Sequence, residues 1–288
     1  MSSTVEDRDL ATSASRSQVP LLRRAWDYMP SLIRRPILRL MRSERIRLRL
    51  LAALGIRDET DFIALGSGGA DAIEAALASL KTQGVSGDYY EFGLYRGQSF
   101  WSAQRAADRL GIGGMRFFGF DSFEGLPEVE GNDRKAGIFV SGDYRAPKDQ
   151  VEQLLIHHGF DMERAVLVPG YFDQSLTPEV KHDHDMGPAA LVMVDCDLYQ
   201  STVPTLAFIA DRLQEGTIIL FDDWYCFGES EQHGEPRAFG EFLDAHPEWT
   251  AMPLQRFSGY GQSFVVHRSN PGTLPAFDQG ESLTSNGG

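Results

Sequence analysis

Residues 191–199 read Leu-Val-Met-Val-Asp-Cys-Asp-Leu-Tyr, and residues 218–224 read Ile-Ile-Leu-Phe-Asp-Asp-Trp. Each stretch is an apolar run without alternation, which is typical of central parallel strands that are buried on both faces. Carboxylates that directly follow such strands lie at the carboxyl edge of the sheet, where open α/β folds bind ligands. Asp195 precedes Asp222 by 27 positions with a helix-like segment between them, as expected for neighbouring strands. The pattern predicts a metal and substrate site at this edge.

The composition is that of a globular protein that does not bind nucleic acid. The chain has 288 residues, of which 42% are hydrophobic, enough for one large α/β domain with appendages. Its formal net charge of −14 argues against non-specific nucleic-acid binding. With only Cys196 and Cys226, a disulfide framework is excluded and a reducing compartment is favoured. The polar N-terminus does not resemble a signal peptide, so we expect a cytoplasmic protein.

The N-terminal region differs in charge from the rest of the chain. We predict disorder for residues 1–20 and a helical extension or lid for residues 21–85, and residues 22–49 contain nine arginines against two acidic residues. This basic amphipathic pattern could lie on an anionic membrane. We favour packing against the acidic body or another subunit, so we do not expect membrane contact. The main domain is assigned to residues 86–268, and the Gly/Ser/Pro-rich residues 269–288 are predicted to be disordered.

Strands and helices alternate from Gly87 onward, which indicates a mostly parallel sheet with helices on both faces. Helices are predicted near residues 202–213 and 236–245, and the chain ends in an antiparallel hairpin. The predicted strands before the hairpin are residues 88–92, 116–120, 165–168 and the opening pair, and the hairpin strands are residues 252–257 and 263–267.

The first strand-to-helix junction, Glu91-Phe-Gly-Leu-Tyr-Arg-Gly97, has the features of a ligand-binding turn. Glycines let backbone N–H groups approach a ligand, and a helix N-terminus favours a carboxylate or phosphate. The spacing is not the dinucleotide pattern GxGxxG. An acidic residue followed by glycine two and six positions later is the spacing used for S-adenosylmethionine in class I methyltransferases. A purely structural turn is the alternative.

Carboxylates at other strand ends extend this site. Asp121 follows the second strand, where a carboxylate accepts hydrogen bonds from ribose hydroxyls, with helix capping as the alternative. Asp195, Asp222 and Asp223 would repel one another unless a cation neutralised them, and oxygen ligands suit Mg²⁺. We expect Asp197 to be structural. His233 lies in a loop that could reach the site and is a candidate substrate contact.

Five motifs together resemble one family, the macrocin-type O-methyltransferases (TylF/MycF-like), which methylate sugar hydroxyls of macrolides and related natural products. The resemblance covers about residues 86–267. The motifs occur in the family's order, which makes the resemblance more specific than any single motif. They are Glu91–Gly97, Phe120–Pro127, Gly170–Asp173, Val194–Thr202 and Phe221–Trp224.

The resemblance implies a seven-stranded, mostly parallel, Rossmann-like sheet that ends in an antiparallel hairpin. It also implies Mg²⁺ bound by Asp195, Asp222 and Asp223 and by two vicinal sugar hydroxyls, with Asp195 as a possible general base. Arg237 is a further candidate for the substrate side. The residues that map to S-adenosylmethionine are Glu91, Gly93, Tyr95, Gly97, Ser99, Asp121, Ser122, Phe172, Asp173 and Asp195.

The leading hypothesis is a Mg²⁺- and S-adenosylmethionine-dependent O-methyltransferase that acts on a vicinal diol, such as a sugar of a natural product or glycoconjugate. The alternative within enzymes is a catechol-type methyltransferase, in which the metal ion binds an aromatic diol in the same way. A nicotinamide-dependent oxidoreductase is a second class, against which the missing GxGxxG argues. A third is a non-catalytic module whose basic arm binds a membrane or a partner. We expect a small-molecule hydroxyl acceptor as partner and a homo-oligomer.

Overall fold

The computed structural model describes residues 68–228 and 230–269. The predictions for residues 1–67 and 270–288, which include the arginine-rich segment and the disorder expected at both ends, lie outside the described residues. The described part contains one seven-stranded sheet with helices on both faces, as the sequence predicts. None of its helices has the length and apolar character needed to cross a membrane.

The strands and helices alternate along the chain up to the final hairpin. The strands are β1 (Asp88–Phe92), β2 (Phe117–Asp121), β3 (Ala165–Pro169), β4 (Ala189–Val194), β5 (Ile218–Phe221), β6 (Trp249–Phe257) and β7 (Gly261–Arg268). The α-helices are α1 (Gly68–Gln83), α2 (Gln98–Arg109), α3 (Gly131–Ala136), α4 (Lys148–His157), α5 (Phe172–Ser175), α6 (Pro178–Asp183), α7 (Tyr199–Ile209) and α8 (Gly234–Ala245).

The strand order places the ends of β1 and β4 side by side. The order across the sheet is β3-β2-β1-β4-β5-β7-β6. The first five strands in this order are parallel, whereas β7 runs antiparallel to β5 and β6 antiparallel to β7. The chain leaves β1 toward β2 and later returns to β4 on the other side of β1. In open α/β sheets this switch point is where ligands bind.

Apolar side chains cover both faces of the parallel strands, which explains the unalternated runs in the sequence. All of β1, β2, β4 and β5 are buried. On one face, α1, α2 and α4 pack on a cluster that includes Tyr89, Phe117 and Leu191. On the other face, α7 and α8 pack on a cluster that includes Phe92 and Phe221. Phe92 and Phe221 are the last residues of β1 and β5, so the packing of α7 and α8 extends to the carboxyl edge of the sheet.

Two predicted helices start earlier than expected. The helix predicted near residues 202–213 begins at Tyr199 and ends at Ile209, followed by a 3₁₀ turn at Ala210–Arg212. The helix predicted from residue 236 begins at Gly234. In both cases the first N–H group of the helix, that of Tyr199 or of Gly234, donates to the carboxylate of Asp133, which is distant in sequence.

Candidate functional site

The turn after β1 has a backbone that glycine makes possible. Gly93, Tyr95 and Gly97 all have positive φ angles, of 94°, 49° and 78°. The Gly93 N–H donates to the Phe120 carbonyl at 2.8 Å, which holds the start of the turn beside the end of β2. A Cβ atom at Gly93 would lie 1.7 Å from the carbonyl oxygen of Asp195. The turn therefore packs directly against the end of β4, and a side chain at Gly93 would prevent this contact.

Asp121 supports this turn from the end of β2. One of its carboxylate oxygens accepts hydrogen bonds from the N–H groups of Leu94 (2.7 Å) and Tyr95 (2.9 Å), and the other accepts from Phe123 (2.6 Å). Burial raises the pKa of Asp121, while these backbone donors oppose the rise. The structure thus gives Asp121 the role of holding the glycine turn. Its predicted contact with a ribose stays a prediction.

Ser122 closes the loop that follows. Its hydroxyl donates to the Gly125 carbonyl at 2.8 Å and accepts from the Glu124 N–H at 3.1 Å. This local pattern orders the chain directly beyond Asp121, as such serine turns do. At the start of α5, Phe172 packs edge-to-face on Phe92 of β1 with ring centroids 6.0 Å apart. The predicted cofactor residues Ser122 and Phe172 thus lie directly after β2 and at the start of α5, and their contact with the cofactor stays a prediction.

Glu91 is fully buried beneath the same turn. Its carboxyl group accepts hydrogen bonds from the Ser99 hydroxyl at 2.6 Å and from the Tyr89 hydroxyl. Burial raises the pKa of Glu91 to about 8, and the bonds from Ser99 and Tyr89 only partly offset this. The predicted cofactor residues Glu91 and Ser99 therefore contact each other and fasten the start of α2 to β1.

The acidic edge lies next to the turn, at the ends of β4 and β5. The Asp195 N–H donates to Phe92 at 2.8 Å, and the Asp222 N–H donates to Val194 at 3.0 Å. Burial raises the pKa of Asp195, and the charges of Asp222 and Asp223 raise it further. The charges of Asp222 and Asp223 both act on Asp195, so the structure brings the three predicted metal residues to one edge of the sheet. The Asp222 carboxylate also accepts a hydrogen bond from Ser258 at 3.1 Å.

A second group of acidic side chains adjoins Asp223. The Asp197 and Asp223 carboxyl groups are hydrogen-bonded to each other, and burial followed by the charge of Asp223 raises the pKa of Asp197. The Cys226 thiol also donates to Asp223, at 2.7 Å. Asp197 was expected to be structural, and in the structure it contacts a predicted metal ligand. Each of these bonds orients the Asp223 carboxylate.

Glu235 is the functional candidate that the sequence interpretation missed. It is fully buried, and its Oε2 accepts the Asp223 N–H at 3.1 Å, whereas its Oε1 has no hydrogen-bond partner. Burial raises its pKa, and the charge of Asp223 adds to the effect. In the sequence it resembles an ordinary acidic residue in a first helical turn, a position that the helix dipole favours. Nothing local signals its burial against Asp223.

The donor chemistry of this edge fits a hard divalent cation. Asp195, Asp222 and Asp223 offer only carboxylate oxygens, which Mg²⁺ prefers, and the unpartnered oxygen of Glu235 adds a fourth acidic group. In the described part of the chain, however, no three His, Cys, Asp or Glu side chains already form a metal-ligand set. The Asp223 carboxylate is instead bonded to Asp197 and Cys226. The three aspartates thus offer the oxygen ligands that Mg²⁺ prefers, and that they bind the ion is a proposal.

The two predicted substrate residues lie at the start of α8. His233 Nδ1 is 2.9 Å from the Ser230 hydroxyl, and its ring stacks on Phe227 at a centroid distance of 5.3 Å. Arg237 pairs with Glu241 at 2.9 Å and lies over the ring of Tyr199 at 4.0 Å. His233 ends the loop between β5 and α8, while Arg237 contacts Tyr199 of α7 and Glu241 of α8. Both roles in substrate binding stay predictions.

A comparison of the chain with models of known protein families identifies its family. The family model described as "Macrocin-O-methyltransferase (TylF)" matches residues 60–239. The chain belongs to the macrocin O-methyltransferase family. This confirms the resemblance drawn from the five motifs. Membership in the family also leaves the nicotinamide-dependent alternative without support.

One relative and two solved structures are similar to the chain. The chain is 28% identical over 159 residues to the 8-demethyl-8-(2,3-dimethoxy-alpha-L-rhamnosyl)-tetracenomycin-C 4'-O-methyltransferase of Streptomyces olivaceus. That match covers 54% of this chain and 59% of the relative. The structure of the O-methyltransferase NovP matches with a TM-score of 0.59 at 20% identity, over 71% of this chain and 82% of NovP. The calicheamicin methyltransferase CalS11 matches with a TM-score of 0.50 at 19% identity, over 93% and 94%. The shared fold is the class I methyltransferase sheet.

Proposed function

We propose that the protein is an O-methyltransferase that moves the methyl group of S-adenosylmethionine to a hydroxyl of a vicinal diol on a sugar, with Mg²⁺ held by Asp195, Asp222 and Asp223. The observation that carries the proposal is the contact between Gly93 and the Asp195 carbonyl. It brings the glycine turn and the acidic edge together at the switch point of the sheet. A methyl donor on the turn and an acceptor at the acidic edge would therefore be neighbours.

The turn supplies the groups that a zwitterionic methyl donor requires. The N-terminus of α2 follows Gly97 directly and favours the donor's carboxylate, because its first N–H groups have no intrahelical partners. Asp121 keeps the turn in place through the N–H groups of Leu94 and Tyr95. Tyr95 packs edge-to-face on Tyr144 at 5.7 Å, which adds an aromatic wall at the same turn. These residues bind and orient, so that transfer proceeds from a fixed geometry.

The acidic edge supplies the acceptor side. When bound, Mg²⁺ would lower the pKa of the acceptor hydroxyl and orient it. The C–S bond of the donor breaks as the new O–C bond forms, and the hydroxyl proton must leave. Asp195 is our candidate for accepting that proton, since it is the carboxylate at the strand end against which the glycine turn packs. Asp222 is held in place by the Ser258 hydroxyl and Asp223 by the Glu235 contact to its backbone.

The sugar acceptor is proposed from the family and from one relative. The Streptomyces olivaceus relative is named as the 4'-O-methyltransferase of a tetracenomycin that carries a 2,3-dimethoxyrhamnosyl group, so its name supports a sugar acceptor and does not bear on the vicinal diol. The chain spans 59% of that relative's length, so the acceptor of the present protein is our inference. We further expect the protein to work in the cytoplasm and as a homo-oligomer.

The proposal is tested by incubating the full chain with methyl-labelled S-adenosylmethionine and two acceptor panels. One panel contains nucleotide-linked and aglycone-linked deoxysugars, and the other contains catechols. We expect label on a sugar hydroxyl that has a free hydroxyl neighbour, and no label when that neighbour is blocked. Label on catechols alone would overturn the sugar assignment. Unlabelled acceptors in both panels, despite binding of S-adenosylhomocysteine, would overturn the proposed acceptors.

A further inference from the structure

Asp133 lies far in sequence from the acidic edge at the ends of β4 and β5. It is nevertheless hydrogen-bonded to α7 and α8, the two helices that follow these strands. It belongs to α3, in the connection between β2 and β3, and only 3% of it is exposed. Its Oδ2 accepts the N–H of Tyr199 at 2.7 Å, and its Oδ1 accepts the N–H of Gly234 at 3.1 Å. Tyr199 is the first residue of α7, and Gly234 is the first residue of α8. One carboxylate thus bonds two helix N-termini.

Neither helix has a local cap of its own. The residues before α7 and α8 are Leu198 and His233, and neither side chain bonds the first turn that follows it. A carboxylate is the group that a helix N-terminus favours, because it accepts from unpaired N–H groups and faces the positive end of the dipole. Asp133 supplies this from outside, across 66 residues to Tyr199 and 101 residues to Gly234.

Both bonds lie next to the candidate metal residues. The α7 helix begins two residues after Asp197, which is hydrogen-bonded to Asp223. The α8 helix carries Glu235 directly after Gly234, and Glu235 accepts the Asp223 N–H at 3.1 Å. Asp133 is therefore connected to Asp223 by the hydrogen bond from the Gly234 N–H, the peptide bond between Gly234 and Glu235, and the hydrogen bond from the Asp223 N–H to Glu235. A movement of Asp133 would shift the two acidic loops relative to each other.

The connection around Asp133 is fastened to the same two segments. The Glu130 N–H donates to Gln200 at 2.9 Å, and Gln200 donates in turn to the Glu128 carbonyl at 2.7 Å. Asn132 donates to the Gln232 carbonyl at 3.3 Å. These bonds place the connection over α7 on one side and over the loop before α8 on the other.

We propose that Asp133 is a positioning residue that sets the separation of the loop after β4 from the loop after β5, and thereby the acceptor half of the site. The part of this proposal that concerns metal binding rests on the proposed function. A carboxylate is required because both oxygens accept. Asparagine has one accepting oxygen, and its NH₂ group would face the second backbone N–H.

The test compares D133N and D133A with the wild-type full chain. The control is D161A, which removes a side-chain cap elsewhere in the fold. The Asp161 carboxylate accepts the Glu163 N–H at 3.0 Å at the start of the 3₁₀ turn before β3. Three properties are measured: Mn²⁺ affinity by electron paramagnetic resonance, S-adenosylhomocysteine affinity by calorimetry, and amide hydrogen exchange. Where D133A does not fold, as judged by circular dichroism, D133N provides the test.

We expect D133N to weaken Mn²⁺ binding by roughly ten- to a hundredfold, the range for residues that orient metal ligands, and to leave S-adenosylhomocysteine binding within about twofold. Exchange should increase at the first turns of α7 and α8 in D133N and not in D161A. Wild-type Mn²⁺ affinity or wild-type exchange in D133N would overturn the inference. Equal loss of both ligands would also overturn it, because Asp133 would then support the whole fold. Wild-type protein that binds no Mn²⁺ would refute the metal assignment instead, and hydrogen exchange alone would then decide the role of Asp133.

Discussion

The Cα atom of Gly93 faces the carbonyl oxygen of Asp195 so closely that a Cβ atom at Gly93 would lie 1.7 Å from that oxygen. The Asp195 N–H also bonds the neighbouring Phe92 carbonyl at 2.8 Å. The end of β1 and the end of β4 are thus joined at the backbone, at the point where the order of the strands in the sheet reverses. This contact fixes the distance between the two halves of the proposed site.

We predict that Gly93→Ala destabilises the protein by roughly 3 kcal/mol or more, because the new methyl group meets backbone and the φ angle of 94° disfavours a side chain. Urea unfolding measures this change. Gly113→Ala is the matched control, since a Cβ atom there has no neighbour within 4 Å. Equal stability of the two variants would show that the contact between β1 and β4 is not tight.

The buried carboxyl of Glu91 predicts a pH dependence of stability without ligand. Its pKa is raised from an ordinary 4.5 to about 8 in the folded protein. The folded state therefore keeps a proton that the unfolded chain releases, and this contribution is complete below pH 4.5 and is lost as the pH rises through about 8. We expect the loss to be on the order of a few kcal/mol. Thermal unfolding of wild type and Glu91→Gln between these pH values checks it, because the variant should lack this slope; parallel curves would contradict the assignment.

Asp222→Asn should weaken Mg²⁺ binding at least about tenfold, because a charged oxygen ligand is replaced by a neutral one. Asp244→Asn, on the exposed side of α8, removes the same charge away from the edge and should bind Mg²⁺ as wild type does. Calorimetric titration distinguishes the two variants. If Asp222→Asn methylated its acceptor in EDTA at the rate that the wild type shows in Mg²⁺, the metal role would be wrong.

Two alanine variants distinguish a contact of Arg237 with the substrate from its ion pair with Glu241. Both partners of this pair are on the surface, so Arg237→Ala and Glu241→Ala should each change stability by less than about 1 kcal/mol. If Arg237 contacts the acceptor, we expect Arg237→Ala to raise the acceptor KM and Glu241→Ala to leave it unchanged. The same KM in both variants would limit Arg237 to its contacts with Glu241 and Tyr199.

The sheet and the positions of Glu91, Asp195 and Asp222 could be predicted because their signals are local. Asp195 and Asp222 directly follow unalternated apolar runs, and such a run both forms the strand and determines which edge its end reaches. Glu91 was located by its spacing to Gly93 and Gly97 in the turn after β1. The order of five such ends along the chain was enough to suggest the family.

The supporting contacts could not be predicted, because they join residues that are distant in sequence. Asp133 bonds Tyr199 and Gly234 across 66 and 101 positions, and Glu235 reaches the backbone of Asp223 from a neighbouring helix. The early start of α7 has the same origin, since its first N–H is capped by Asp133 and not by the residue before it. The support that Asp121 gives to the glycine turn was likewise not predicted, because it joins the end of β2 to the N–H groups of Leu94 and Tyr95.

The most direct test of the account is a single-turnover methyl transfer from labelled S-adenosylmethionine to a rhamnosylated acceptor, measured by mass spectrometry in Mg²⁺ and in EDTA. We predict that label appears on one sugar hydroxyl in Mg²⁺, is lost in EDTA, and returns when excess Mg²⁺ is added. Equal transfer in EDTA, or transfer to a sugar hydroxyl that has no hydroxyl neighbour, would contradict the account.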